Sequence, residues 1–193
     1  MKNIAACALL ISAGTCFHSN SAIAQAVPTT QAAELPSAIP LSGVRLVGQG
    51  VLRFLGFEIY RARLWVQPGF DAGNYGAQPL ALELTYHRDF SAEAIAKRSL
   101  EEMRRVGSFT AEQATRWQQA LQAALPDVKS GDRLLGIHQP GVGAVFKMAG
   151  RVVGEVPDAE FSRLFFGIWL SPQTSEPGLR QDLLAATRTA GQP

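Results

Sequence analysis

Leu80, Leu82, Leu84 and Tyr86 alternate with Ala81, Glu83, Thr85 and His87. This period of two predicts a strand with one apolar face. The same parity carries Arg88 onto that face if the strand runs on. Upstream, Val51 to Val66 reads as two strands joined near Gly56. In the second of these, Tyr60, Ala62, Leu64 and Val66 share a face. Phe57, Ile59 and Trp65 lie on the other face with Arg61 and Arg63, so the strand is covered on both sides. Arg61 and Arg63 themselves are read as a solvated strand surface.

After residue 90 the period changes. Ser91 is placed as an N-cap with Phe90 and Ile95 as a hydrophobic staple. Ile95, Ser99, Met103 and Val106 form an apolar stripe, with Lys97, Arg98, Glu101, Glu102, Arg104 and Arg105 facing water and Gly107 ending the helix. Thr110 and Gln113 make a capping box for a second helix that buries Trp117, Ala120, Leu121, Ala124 and Leu125 before Pro126. Short strands are expected around Arg133–His138, Val142–Met148 and Arg151–Val153. A helix from Asp158 follows, with Phe161, Leu164, Phe165 and Ile168 on one side, and a last one from about Glu176 to Ala185. Strands and helices come in blocks, which argues for an α+β fold.

The N-terminus follows another rule. Lys2 precedes an uncharged run of 14 residues, Ile4 to Phe17, and Ser21-Ala22-Ile23-Ala24 offers a signal-peptidase site. As a helix the run is roughly 21 Å long, short of the about 30 Å of a bilayer core. Residues 1–24 are therefore read as a signal peptide cut after Ala24, or after Ala26. Residues 25–40, rich in Ala, Pro, Thr and Ser, are read as a flexible lead-in to a domain over 41–188. Export, with the periplasm as destination, follows. Both cysteines, Cys7 and Cys16, leave with the signal, so no disulfide supports the 169 residues that remain. The net charge falls from +2 to +1, and without a basic run this excludes nucleic acid as a partner. No other segment is apolar enough to span a membrane, and nothing identifies a protein partner.

The common catalytic signatures are absent: no G-x-S-x-G, no H-E-x-x-H, no P-loop. Gly48-x-Gly50 and Gly141-x-Gly143 lack the third glycine of a dinucleotide site and read as turns. His87 and His138 are the histidines left after processing and are not in ligand spacing, so no metal and no cofactor is expected. What stands out is polar groups on apolar faces: Tyr60, Tyr86 and Arg88. Arg88 either pairs with Asp89 or Glu83, reaches solvent, or holds the carboxylate of an apolar ligand beside a tyrosine hydroxyl.

Several of these residues form a pattern. Gly48-x-Gly50-x-x-Arg53-x-x-Gly56-x-x-x-Tyr60-x-Ala62-x-Leu64-Trp65 resembles the opening of bacterial exported chalcone isomerase-like proteins. So do Tyr86-x-Arg88-Asp89 and Arg98-Ser99-x-x-Glu102-Met103. Gly131-Asp132, Pro140-Gly141-x-Gly143, Phe165-Phe166-Gly167-Ile168-Trp169-Leu170-Ser171-Pro172 and Leu179-Arg180-x-x-Leu183-Leu184 then follow in the family's order, so the likeness covers about residues 41–185. It implies an open-faced β-sandwich of the chalcone isomerase type: an antiparallel sheet, helices layered on one face, and a ligand cleft between. In the plant enzymes an arginine after the Gly-x-Gly, a threonine on the next strand and a later Tyr/Lys/Asn group cyclise a chalcone. Here Arg53 stands one residue late, Tyr60 takes the threonine's place, and the later group does not map onto residues 91–125. The family's fatty-acid-binding members use an arginine and a tyrosine on adjacent strands for the carboxylate, a pattern closer to Arg53 and Tyr60. The expectation is a non-catalytic binding protein for a fatty acid or similar apolar carboxylate, held by Arg53, Tyr60, Tyr86 and Arg88. The alternatives are an isomerase or lyase acting on an enone-like substrate, and an envelope accessory protein without a small ligand.

Overall fold

The alternating segments form one antiparallel sheet of six strands in sequential order. These are β1 (Arg45–Phe54), β2 (Phe57–Val66), β3 (Leu80–Tyr86), β4 (Arg133–Gln139), β5 (Gly143–Met148) and β6 (Arg151–Val156). The structure is a computed structural model that describes residues 41–189; the expected signal peptide and lead-in lie outside them. β1 begins six residues before the expected Val51. It turns into β2 through Leu55 and Gly56, both with positive φ (49° and 81°), the geometry of a type I′ hairpin. A left-handed backbone costs a leucine roughly 1–2 kcal/mol.

The expected helices cover one sheet face: α1 (Ala92–Val106), α2 (Ala111–Ala124) and α3 (Ala159–Leu170). Their caps are those the sequence implies. Ser91 accepts from the Ala94 amide, Thr110 and Gln113 close a capping box, and Asp158 accepts from the Phe161 amide. Asp158 also takes the Trp117 indole proton at 2.8 Å, which ties α2 to the start of α3. The expected last helix is two, α4 (Pro177–Leu183) and α5 (Ala185–Thr189), and a short 3-10 segment at Ala72–Ala77 has no periodic signal to announce it. Gly107 ends α1, but with φ at −174°. Its lack of a side chain serves packing, since a Cβ there would meet Leu164 at 2.8 Å.

Gly48-x-Gly50 is not a turn. Both glycines lie inside β1, where a Cβ on Gly48 would sit 2.2 Å from the Asp182 carbonyl and one on Gly50 2.7 Å from Leu179. Their bareness lets α4 lie directly on the strand. The core on this face joins Leu64, Leu80, Leu82, Phe146, Trp117, Phe161, Leu164 and Phe166, all buried.

The opposite face carries a smaller cluster of Trp65, Ala81, Leu135 and Ile137. Beside it Glu83 is buried and accepts from Arg133 at 2.9 Å, with Arg63 at 3.4 Å. Arg63 is thus not a solvated residue: it pairs with Glu83 and lies over the Trp65 ring. Arg61 is exposed, as expected.

His138 is buried in β4. Its Nε2 donates to the Gly76 carbonyl at 3.0 Å and its Nδ1 lies 2.6 Å from the Ser162 hydroxyl, so it links β4, the 3-10 segment and α3. Burial holds its pKa below the ordinary value, the Gly76 bond opposing this in part. The folded state therefore binds this proton less readily than the unfolded chain. The contribution is intact above the unfolded pKa of about 6.5 and is lost as pH falls below it. Urea midpoints of the wild type should decline between about pH 7 and 5 more steeply than those of His138→Gln; parallel curves would refute the assignment.

Candidate functional site

The helix layer does not close completely over the sheet. Between β1–β4 on one side and α1, α3 and the start of α4 on the other lies a cleft of ≈ 490 Å³, within the about 300–1,000 Å³ of small-molecule sites. Leu84, Leu134, Leu125, Phe165 and Ile168 make its wall almost wholly apolar. Exposed Phe54, Ala94, Arg98 and Glu176 also line it and mark its mouth.

Tyr60 and Tyr86 both face this cleft, and strand register explains why. They are direct partners across β2 and β3, with rings packed edge to face at 6.1 Å. Trp169, in the last turn of α3, donates its indole N–H to the Tyr60 hydroxyl at 3.0 Å. That bond uses Tyr60 as an acceptor and leaves its proton free to donate. Burial pushes the hydroxyls of both tyrosines well above their ordinary range; for Tyr60 the Trp169 bond opposes this in part. Both therefore stay protonated at neutral pH and act as donors.

The other two expected site residues are elsewhere. Arg53 lies on the exposed end of β1, 2.6 Å from Glu58, its partner across the hairpin. Gly48 and Gly50 face α4, and Leu52 and Phe54 line the cleft, so alternation along β1 turns Arg53 to the other side. Arg88 fails for a different reason. β3 stops at Tyr86, and His87 and Arg88 form a bend. The period-two extrapolation ends there, and Arg88 lies exposed over the Phe57 ring at 4.4 Å. The carboxylates suggested for it are engaged by others: Asp89 by Lys129 and the Ser130 amide, Glu83 by Arg133 and Arg63.

The polar groups that the sequence reading missed come from α1. Arg98, Ser99 and Glu102 line the cleft, although Arg98 and Glu102 carry the charge that usually marks a solvent face. Glu102 is buried. It accepts from Ser175 at 2.7 Å and faces Arg98 at 2.5 Å and Arg105 at 3.5 Å. The i, i+4 spacing of Arg98 and Glu102 was visible, but the approach of Ser175 from the segment before α4 was not. Among the described lining residues Arg98 is the one cation. It pairs with Glu102 and Glu101, and Glu176 is a second carboxylate among the lining residues.

Taking Arg98 away leaves a buried carboxylate short of its nearest cation. Arg98→Met should lower the free energy of unfolding in urea by about 1–3 kcal/mol. Arg98→Met combined with Glu102→Met should regain most of that loss, because the unpaired charge is gone. An unchanged single variant would contradict the pairing.

The comparisons with known proteins agree with this architecture. A curated but uncharacterised protein of Haemophilus influenzae is 26% identical over 153 residues, covering 79% of this chain and 74% of that protein. The crystal structure of an Arabidopsis thaliana fatty-acid binding protein superposes with a TM-score of 0.61 at 14% identity, covering 82% of this chain and 95% of that one. At that identity the match shows a shared fold. The model of the chalcone isomerase-like family matches residues 27–185. With the six-stranded antiparallel sheet and its helix layer, this establishes that the chain belongs to the chalcone isomerase-like family.

Proposed function

We propose that this chain is an exported, non-catalytic binding protein for a fatty acid or a similar apolar molecule with one polar end, working in the periplasm. The observation that carries this reading is an apolar cleft furnished with two tyrosine hydroxyl donors, Tyr60 and Tyr86. A binding site needs an apolar volume and a few placed polar groups to orient the ligand. The fatty-acid binding protein that shares the fold supports the ligand class. The pattern of Lys2, the apolar run and Ala24 supports export.

The polar end meets hydroxyls in place of a guanidinium. Arg53 and Arg88 do not line the cleft, and Arg98 is held by Glu101 and Glu102. A carboxylic acid accepts hydrogen bonds from Tyr60 and Tyr86, and the nearby Glu102 and Glu176 favour its neutral form over its anion. The non-catalytic part of the reading rests on the same groups. The tyrosines are donors at neutral pH, and Glu102 is committed to Ser175 and Arg98.

Native mass spectrometry of protein purified from its own compartment should find a bound fatty-acyl species. Tyr60→Phe and Tyr86→Phe should each weaken binding of a long-chain fatty acid by roughly threefold to tenfold, the loss of one hydrogen bond. No bound lipid together with no fatty-acid affinity in the wild type would end the proposal.

A further inference from the structure

The β1–β2 hairpin ends in four residues, Phe54-Leu55-Gly56-Phe57, whose three side chains all point into solvent. Phe54 is 65% exposed, Leu55 81% and Phe57 57%. Scattered apolar residues on a surface are ordinary. Here three sit side by side on a protruding turn, and one of them departs from what the turn itself favours. Leu55 has positive φ at a hairpin position where Asn, Asp or Gly is preferred. The residue is unfavourable for the backbone and for solvation at once, so folding does not account for its presence.

Two arginines flank the tip. Arg53 precedes Phe54, and Arg88 lies over the Phe57 ring at 4.4 Å. Glu58, between Arg53 and His87, balances part of that charge. Phe54 has a second role, because it lines the mouth of the cleft. The tip and the binding cavity therefore share a wall.

We infer that this hairpin tip docks the protein on a phospholipid bilayer, with Leu55 and Phe57 inserted at the acyl boundary and Arg53 and Arg88 at headgroup level. A bilayer accepts a small protruding apolar tip with a cationic collar. A stable protein interface needs on the order of 800 Å² per partner, far more than four turn residues present. The shared Phe54 places the cleft mouth against the membrane, where an apolar ligand passes without crossing water. The docking goes beyond the ligand-binding reading and is measured with no ligand added, so the two can fail separately.

The test is flotation of the mature protein with vesicles of phosphatidylcholine and phosphatidylglycerol in equal parts, comparing wild type with Leu55→Asn and with Leu55→Asn/Phe57→Thr. The wild type should float, and the double variant should bind roughly tenfold more weakly. Leu55→Asn alone should raise the thermal midpoint by about 2–4 °C while weakening vesicle binding, because asparagine suits the turn. That opposite movement shows that lost binding is not lost folding. A wild type that stays with the soluble fraction overturns the inference, as does a double variant that floats equally well. Concentration-dependent self-association that the substitutions abolish, with no vesicle binding, overturns it in favour of contact between copies.

Discussion

A hydroxyl taken out of water must find a partner, and Tyr60 finds the indole of Trp169. That bond joins β2 to α3. It spends the acceptor side of the hydroxyl on the protein and keeps its proton for the cleft. Tyr86, its cross-strand partner, presents a second hydroxyl from the same register. The chemistry of the cavity follows from this pair: two donors in an apolar wall, with Arg98, the one cation among the described lining residues, turned toward carboxylates of its own helix.

The shape of the cleft depends on where backbone can approach backbone. Gly48 and Gly50 let α4 press onto β1, and α4 brings Leu179 into the cavity wall. The loop before α4 brings Ser175 to Glu102, which turns a helix residue with an ordinary surface identity into a buried carboxylate. Gly107 does similar service between α1 and Leu164. The approaches of α4 to β1 and of Ser175 to Glu102 bring elements far apart in sequence to one cleft wall.

This distinction also separates what could be read in the sequence from what could not. Alternation in residues 80–86, the Thr110–Gln113 box and the Phe161–Ile168 stripe are local signals, and each yields the element it implies. The family pattern adds the layered sheet, and Tyr60 and Tyr86 are found by face parity because β2 and β3 are regular there. Parity fails where regularity stops, at the bend after Tyr86. Arg88 was placed by counting across that point, whereas Arg53 came from the family pattern, which does not fix the face on which a residue one place late will lie. Arg98 and Glu102 were missed because helical periodicity with charge reads as a solvent face; Arg98 does stay exposed at the mouth, while Glu102 is buried and meets Ser175, 73 residues away. Gly48-x-Gly50 was read as a turn because a glycine pair looks the same whether it bends a chain or makes room for another one.

The three tryptophans allow a direct measurement. Trp169 lines the cleft, whereas Trp65 packs on the other sheet face and Trp117 lies in the core under α2. Titration with a fatty acid brominated along its tail, which quenches indole emission on contact, reports occupancy of this cavity. Quenching should be saturable in the wild type and lost in Trp169→Phe. Absence of quenching, or quenching that persists undiminished in Trp169→Phe, would contradict binding in this cavity.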